Sequence, residues 1–279
     1  MKRVMLTVAY DGTEYCGWQI QPNGDTIEGQ LNKHLSELLG EEIKVVGASR
    51  TDAGVHALCN LAVFSTHTRM PAEKISYALN QRLPEDIKVQ KSEEVAPDFH
   101  PRRIRTKKTY EYRIYNAQFP NPLVRRYSYF TYVPLDIEKM RRAGAYLVGQ
   151  HDFASLCTRK FEEENTVRTI YDLDVEKQGD MVTIRVTGNG FLYNMVRIIA
   201  GTLMEVGRGR MAEEELPAIL ASADRGKAGP TAPACGLTLC RYEMEDEKIC
   251  LTQCDDTTRN CIGSTQGKID ARENTEKKC

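Results

Sequence analysis

Long apolar runs are missing from this 279-residue sequence, and none approaches the roughly 18 consecutive residues of a membrane-spanning helix. The start, Met1-Lys2-Arg3-Val4, passes into alternating polarity without the apolar core and small-residue cleavage site of a signal peptide, so a cytoplasmic protein is expected. Net charge is missing too. Lys and Arg number 38 against 39 Asp and Glu, a total of -1, which excludes a polycationic tail-type binder. It does not exclude nucleic acid, because a neutral total can hide one basic face. Histidine is scarce, and no pair has ligand spacing: His34 falls in a helix and His67 at a strand end, both in ordinary structural roles. Nine cysteines, an odd number spread from Cys16 to Cys279, lack the density of a disulfide scaffold, so reduced thiols are expected. Cys250, Cys254, Cys261 and Cys279 are accompanied by no histidine and no paired CxxC, which argues against a zinc site. Gly188-Asn189-Gly190 and Gly207-Arg208-Gly209 match neither a dinucleotide fingerprint nor a P-loop. Neither a metal nor a cofactor is expected.

What is present describes a soluble globular chain: 41% hydrophobic residues, 28% charged, and length enough for about two domains. Val4, Leu6, Val8 and Tyr10 alternate as a strand, and a loop runs from Asp11 to Gln21. Thr26 caps a helix whose apolar face is Ile27, Leu31, Leu35, Leu38 and Leu39, closed by Gly40. Strands are expected at residues 43–48 and 58–65, a helix at 71–81 and a strand at 87–95. The second half gives strands at 109–115 and 126–132, a helix at 137–148, strands at 167–176 and 181–187, a long apolar helix at 191–206, a short one at 212–221 and a last strand at 236–242. The fold class expected is α+β: two ferredoxin-like βαββαβ halves, 1–100 and 101–244, sharing a largely antiparallel central sheet. No residue-level repeat accompanies the halves, and two separate domains joined near Glu93 to Pro101 are the alternative. From Glu245 onward apolar residues thin out, and a disordered tail is expected.

Positive charge is concentrated. From Phe99 to Arg126 stand Arg102, Arg103, Arg105, Lys107, Lys108, Arg113, Arg125 and Arg126 against Glu111 alone, a local +7 that leaves -8 for the remainder. Phe99, His100, Tyr110, Tyr112 and Tyr115 are interleaved with them, a mixture suited to phosphate contacts with base stacking. A solvated strand face is the competing reading. The acidic runs Glu162 to Glu164 and Glu213 to Glu215 read as solvated faces or helix starts.

Ser49-Arg50-Thr51-Asp52-Ala53-Gly54-Val55-His56-Ala57 joins two expected strands, with small residues around Asp52 that allow a ligand close approach. Two readings fit Asp52: a nucleophilic carboxylate, or a turn-forming Asp paired with Arg50. A second arginine, Arg197, lies in the apolar helix with Met195, Val196, Ile198 and Ile199, where an unpaired guanidinium is costly. Arg197 either meets a carboxylate or snorkels to the surface.

The nonapeptide resembles the signature of the tRNA pseudouridine synthase A family. The resemblance continues through Tyr10-Asp11-Gly12-Thr13 with Tyr15, Gly17-Trp18-Gln19 and Gln21; Ala78-Leu79-Asn80 before Leu83-Pro84; and Lys108-Thr109-Tyr110-Glu111-Tyr112. It extends through Gly149, His151-Asp152-Phe153 and Ser155, then Gly190-Phe191-Leu192, Met195-Val196-Arg197 and Gly201, and stops near Met244. It implies isomerisation of uridine to pseudouridine at positions 38, 39 and 40 of the tRNA anticodon arm, by a homodimer without metal or cofactor. It further implies Asp52 as nucleophile, Arg197 as its basic partner, and Arg50 as the group that stabilises the place vacated by the flipped base. Tyr110 would stack on the uracil and handle the proton at the carbon that joins the sugar, Leu192 would line the substrate site, and Arg102, Arg103, Arg105, Lys107 and Lys108 would contact RNA. Two other functions stand beside it: an RNA-binding module without chemistry, since ferredoxin-like sheets bind RNA by aromatic stacking, and the same chemistry on another RNA.

Overall fold

A computed structural model of the protein describes residues 1–158 and 165–244, so the acidic run at 162–164 and the cysteine-bearing segment from 245 lie outside the described residues. In chain order the elements are β1 (Lys2–Tyr10), α1 (Ile27–Leu39), β2 (Val46–Gly47), β3 (His56–Thr66), α2 (Ala72–Asn80), β4 (Ile87–Val95) and β5 (Thr106–Asn116). There follow β6 (Tyr129–Thr131), α3 (Ile137–Ala145), β7 (Gly149–Asp152), β8 (Val167–Gln178), β9 (Met181–Gly188), α4 (Met195–Gly207), α5 (Leu216–Ser222) and β10 (Leu237–Met244).

One sheet contains all the strands, in the order β4-β1-β3-β10-β5-β9-β8-β7, with β2 on β3 and β6 on β5. Every pairing is antiparallel except β10 with β3 and β5 with β6. The first four strands lie β4-β1-β3-β2, and β10-β5-β9-β8 repeats that arrangement with the same alternation of strands and helices, which is the pair of ferredoxin-like halves in one largely antiparallel sheet. The join explains where the site forms. At Ala62 and Val63 one edge of β3 carries β2; at His56 and Ala57 it carries β10. Residues 48–55, between β2 and β3, therefore leave the sheet at the place where one half gives way to the other.

Helices cover one face. Thr26 accepts the Gly29 N–H at the start of α1, Gly40 ends it in the left-handed region at φ 68, and Ile27, Leu31 and Leu35 are fully buried. Each such burial contributes about 1.5–3 kcal/mol. In α4, residues 198–204 are all buried. A Cβ on Gly201 would meet the Pro230 carbonyl oxygen at 1.8 Å, so the segment leading to β10 crosses the helix against bare backbone.

Several boundaries differ from the sequence expectation. The helix expected from Phe191 begins at Met195, because Asn194 adopts a left-handed conformation at φ 61 and resets the chain direction. Residues 43–48 pair only at Val46–Gly47, and 126–132 only at Tyr129–Thr131. The helix expected at 212–221 is a 3-10 turn at Glu213–Glu215 followed by α5, since Pro217, lacking an N–H, fits only a helix's first turn. The edge strand β7 was not expected, its polar Gly-Gln-His-Asp having no apolar alternation.

Candidate active site

The loop bearing Asp52 is fastened from beneath by a buried polar network. Asn60 on β3 is completely buried, and its amide both accepts from the Ser49 N–H (3.2 Å) and donates to the Ser49 carbonyl (2.9 Å). The same Nδ2 donates to the Tyr10 hydroxyl (3.2 Å), which stands 2.7 Å from Thr51 Oγ1. A buried asparagine is tolerable only when so bonded. From the other side the Trp18 N–H donates to the Thr51 carbonyl (3.0 Å) and the Gly54 N–H to Tyr15 (3.3 Å). Gly17 makes that approach possible: its φ is +91, and a Cβ there would stand 2.7 Å from the Thr51 carbonyl oxygen. Downstream of Asp52, the Gly12 N–H donates to Nδ1 of buried His56 (3.1 Å), and Tyr127 lies edge-on to that imidazole while donating to Asp11 Oδ2 (2.9 Å). The Tyr10-Asp11-Gly12-Thr13 and Gly17-Trp18 segments thus form the walls that hold the loop.

The structure brings Asp52 and Arg197 together. Arg197 Nη1 lies 3.2 Å from Asp52 Oδ2 and 3.0 Å from Asn194 Oδ1, while Nε donates to the Ala232 carbonyl (2.7 Å). The Ala232 N–H in turn donates to the Arg197 carbonyl (3.1 Å). The left-handed turn at Asn194 and the chain crossing at Gly201 therefore both serve to aim this guanidinium. The alternative of a snorkelling Arg197 does not hold, nor does an Asp52–Arg50 pair: Arg50 is exposed and donates no hydrogen bond among the described residues.

Tyr110 on β5 is buried, with Phe191 edge-on to its ring at 5.2 Å and 85°. Burial pushes its phenol above the ordinary tyrosine range, and the charges of Tyr10 and Asp52 add to this against an opposing contribution from Ser49. Ser49 Oγ lies beside that phenol without making a hydrogen bond of normal geometry. The group is accordingly a neutral donor at physiological pH, within reach of the Asp52 charge. Leu192 is buried, and its carbonyl receives the Met195 N–H at 3.1 Å.

The basic stretch separates by position. Arg103 and Arg105 are exposed, and Lys107 sits 5.2 Å over the Tyr171 ring. Arg113 is spent on Glu111 (3.0 Å), and Arg126 is shared between Asp11 (3.9 Å) and Glu14 (3.7 Å). Arg102 gives Nε to the Gly47 carbonyl (2.7 Å), just ahead of the Asp52 loop. Lys108 lies 5.2 Å over the Tyr242 ring, and burial followed by the charges of Arg102 and Arg168 pulls its pKa down to about 8. An open groove of about 300 Å³ beside Gly54 is lined by Thr13, Glu14, Arg125, Arg126 and Cys235.

Sequence reasoning missed Asn60, Asn194 and Arg168. A lone Asn inside the apolar run Leu58 to Phe64 was the available signal for the first; the other two act through backbone geometry and proximity, which no local pattern carries. Among the described residues no three or more His, Cys, Asp or Glu side chains are grouped to hold a metal ion, and no helix is long and apolar enough to cross a membrane.

Residues 6–102 and 143–243 match the family described as tRNA pseudouridine synthase. The tRNA pseudouridine synthase A of Thermoanaerobacter pseudethanolicus is 48% identical over 239 residues, covering 86% of this chain and 98% of that protein. That of Moorella thermoacetica is 48% identical over 245 residues, covering 87% and 100%. Among solved structures, the archaeal box H/ACA sRNP Nop10-Cbf5 complex is similar with a TM-score of 0.30 at 14% identity, over 72% of this chain and 44% of that one. Identity of this extent, over nearly the full length of the relatives, establishes that the chain belongs to the tRNA pseudouridine synthase A family.

Proposed function

We propose that this protein isomerises uridine to pseudouridine at positions 38, 39 and 40 of the tRNA anticodon arm, with Asp52 as nucleophile and without metal or cofactor. The observation that carries the reading is the Asp52–Arg197 pair, held from both sides at the junction of the two halves and adjacent to a buried aromatic ring. The halves, 1–100 and 101–244, contribute unequally: Arg50 and Asp52 from the first, Tyr110, Leu192 and Arg197 from the second.

The reaction moves one bond. The glycosidic bond from the sugar C1′ to uracil N1 breaks, the uracil turns, C1′ bonds to C5, C5 loses its proton and N1 ends with one, so the product is an isomer. Asp52 assists by bonding to the sugar as the base leaves or by taking a sugar proton. Arg197 Nη1 stands 3.2 Å from the carboxylate, and an opposite charge within about 4–6 Å favours the charged form. A base inside a stem must leave its stack at a cost of a few kcal/mol, and exposed Arg50 stands free to occupy the vacated place. Tyr110 receives the flipped uracil against a ring fixed by Phe191, and buried Leu192 lines the substrate site. Its neutral phenol donates a hydrogen bond and relays the C5 proton only as its own proton passes on, with Asp52, whose charge reaches the phenol, as the acceptor. Arg102, Arg103, Arg105, Lys107 and Lys108 contact the RNA backbone. The working unit in this reading is a cytoplasmic homodimer with both subunits on one tRNA, for which light scattering of the full chain gives the mass.

The test is to incubate purified protein with unmodified tRNA and map pseudouridine. Modification at positions 38 to 40 that disappears in Asp52→Asn supports the reading. Retained conversion in Asp52→Asn removes Asp52 as nucleophile, conversion at other sites changes the substrate, and tight tRNA binding with no base change returns the protein to a binding module.

A further inference from the structure

Four cations from four separate segments lie within range of one another's charge around Lys108: Arg50 in the Asp52 loop, Arg102 in the turn after β4, Lys108 on β5 and Arg168 on β8. The charges of Arg102 and Arg168 both reach Lys108, and that of Arg50 reaches Arg102. Lys108 pairs in register with Gly188 at the end of β9, where the chain folds back over the start of β8: the Asn189 N–H donates to the Thr169 carbonyl (3.1 Å) and Asn189 Oδ1 accepts the Thr169 N–H (3.0 Å). The Arg168 side chain lies over Gly190, with Nε 3.8 Å from the place a Cβ would occupy. Its Nη1 is held by the carbonyls of Asn165 (2.9 Å) and Val167 (2.7 Å), which fixes the guanidinium plane.

Elsewhere the sheet and its helices neutralise their arginines: Arg113 and Arg185 on Glu111, Arg141 on Asp174, Arg208 on Glu205. Among the described residues no carboxylate forms an ion pair with Arg50, Arg102, Lys108 or Arg168. Glu28, whose charge reaches Arg102, directs Oε2 to the Ile20 N–H (2.9 Å). Like charges gathered with no ion-paired acid among the described residues make a positive concavity that an anion completes. Alternation puts Lys108 on the same face of β5 as Tyr110, about 7 Å along the strand.

We propose that Arg168, Lys108 and Arg102 form a subsite for one phosphodiester of the RNA backbone, the one next to the nucleotide whose base enters at Tyr110. The two guanidinium groups offer planar donor pairs to the phosphate oxygens, and the ammonium supplies a point charge between them. A base at Tyr110 carries its own phosphate within the span that separates Tyr110 from Lys108. The lowered lysine pKa is consistent with this, since a bound phosphate favours the charged form that burial and two arginines disfavour. The inference rests on the RNA reading above, and adds Arg168, which lies outside the basic stretch.

The test measures binding of an anticodon-arm RNA to the full-length protein by anisotropy, using a set of RNAs in which one phosphodiester at a time is replaced by an uncharged methylphosphonate. Arg168→Gln and Lys108→Met are each expected to weaken binding of the all-phosphate RNA about tenfold and to reduce the slope of log affinity against log salt by up to about 0.9. One neutral linkage beside the target uridine is expected to weaken wild type equally and to leave both variants no weaker than they already are. Lys108→Arg, which keeps charge, retains affinity. Unchanged affinity in Arg168→Gln, whose side chain lies at the surface, overturns the subsite, as does an equal loss for every neutral linkage. Pseudouridine formation is scored separately in the same samples. If wild type makes none yet the linkage effect holds, the phosphate subsite stands and the reaction assigned above falls.

Discussion

Replacing Tyr10 by Phe removes one hydroxyl and leaves the ring packed in the first-half core. The hydroxyl bonds Thr51 Oγ1 at 2.7 Å and receives Asn60 Nδ2 at 3.2 Å. Asn60 keeps its two bonds to Ser49, so the upstream end of the loop stays fastened. Thr51, which is buried, loses the partner of its hydroxyl, and an unsatisfied buried hydroxyl costs about 1–3 kcal/mol. At about 2–4 °C per kcal/mol for a body of this size, Tm falls by several degrees. Thr51 retains its backbone tether to the Trp18 N–H, so the loop relaxes without detaching. Displacement of a reacting group by about 1 Å costs on the order of 100-fold in rate, and the surviving tether limits the expected loss in single-turnover rate to about 10- to 100-fold at saturating RNA. RNA affinity should stay within about threefold of wild type, because Tyr10 is buried beneath the loop. Combining Tyr10→Phe with Thr51→Val removes both ends of the bond, and the double variant should regain part of the stability without regaining the rate. Normal single-turnover rate in a Tyr10→Phe protein of lowered Tm would refute the view that this network aims Asp52.

Other perturbations test other parts of the site. Arg197→Lys keeps a cation but cannot reach Asp52, Asn194 and the Ala232 carbonyl at once, so product formation should fall at least 100-fold with near-normal RNA binding; substantial activity would show that charge alone suffices. Gly17→Ala places a Cβ against the Thr51 carbonyl at a left-handed φ, and calorimetry should show a loss of about 2 kcal/mol or more. Lys108 has a folded pKa of about 8 against 10.5. The unfolded chain therefore binds more protons between those values, so wild-type stability gains with rising pH across that window by about 1–3 kcal/mol. Lys108→Met should be more stable than wild type at pH 7 and lose that advantage above about pH 10, as followed by urea unfolding.

Much of the fold was legible because its signals are local. The Thr26 cap, the Leu31 and Leu35 face and the Gly40 stop specify α1 within one stretch of chain, and the alternation of Val4 to Tyr10 specifies β1. What escaped is set by contacts between distant segments. The start of α4 depends on a left-handed Asn194 whose side chain is claimed by Arg197, and β7 exists because β8 offers it an edge. The same division runs through the site. Asp52 was open to two readings from its loop alone and was singled out by the family resemblance, whereas an arginine in an apolar helix demands a partner. Asn60 and Arg168 take their meaning from what folding places beside them. Counting charge by sequence window overvalued Arg113, which Glu111 neutralises two residues away, and passed over Arg168, which no acid among the described residues pairs.

The position of the Asp52 loop also bears on why both halves are needed. Each half has the strand order of a complete ferredoxin-like unit, yet neither contains a site: the carboxylate comes from the β2–β3 loop of one, and its guanidinium from α4 of the other. The halves join through a short parallel pairing, Thr238 with His56 and Leu239 with Ala57, immediately after the loop. Leu239 is fully buried, and its own strand continues into the antiparallel register with Tyr110. A single strand, β10, thus fixes the distance between the Asp52 loop on one side and Tyr110 on the other. Leu239→Ala should therefore do more than cost the 2–5 kcal/mol usual for such a cavity. By loosening the spacer it should lower the single-turnover rate further than an equally destabilising cavity far from the junction, such as Leu35→Ala in α1. Equal rates in the two variants at matched stability would mean that the junction holds the halves together without setting the geometry of the reaction.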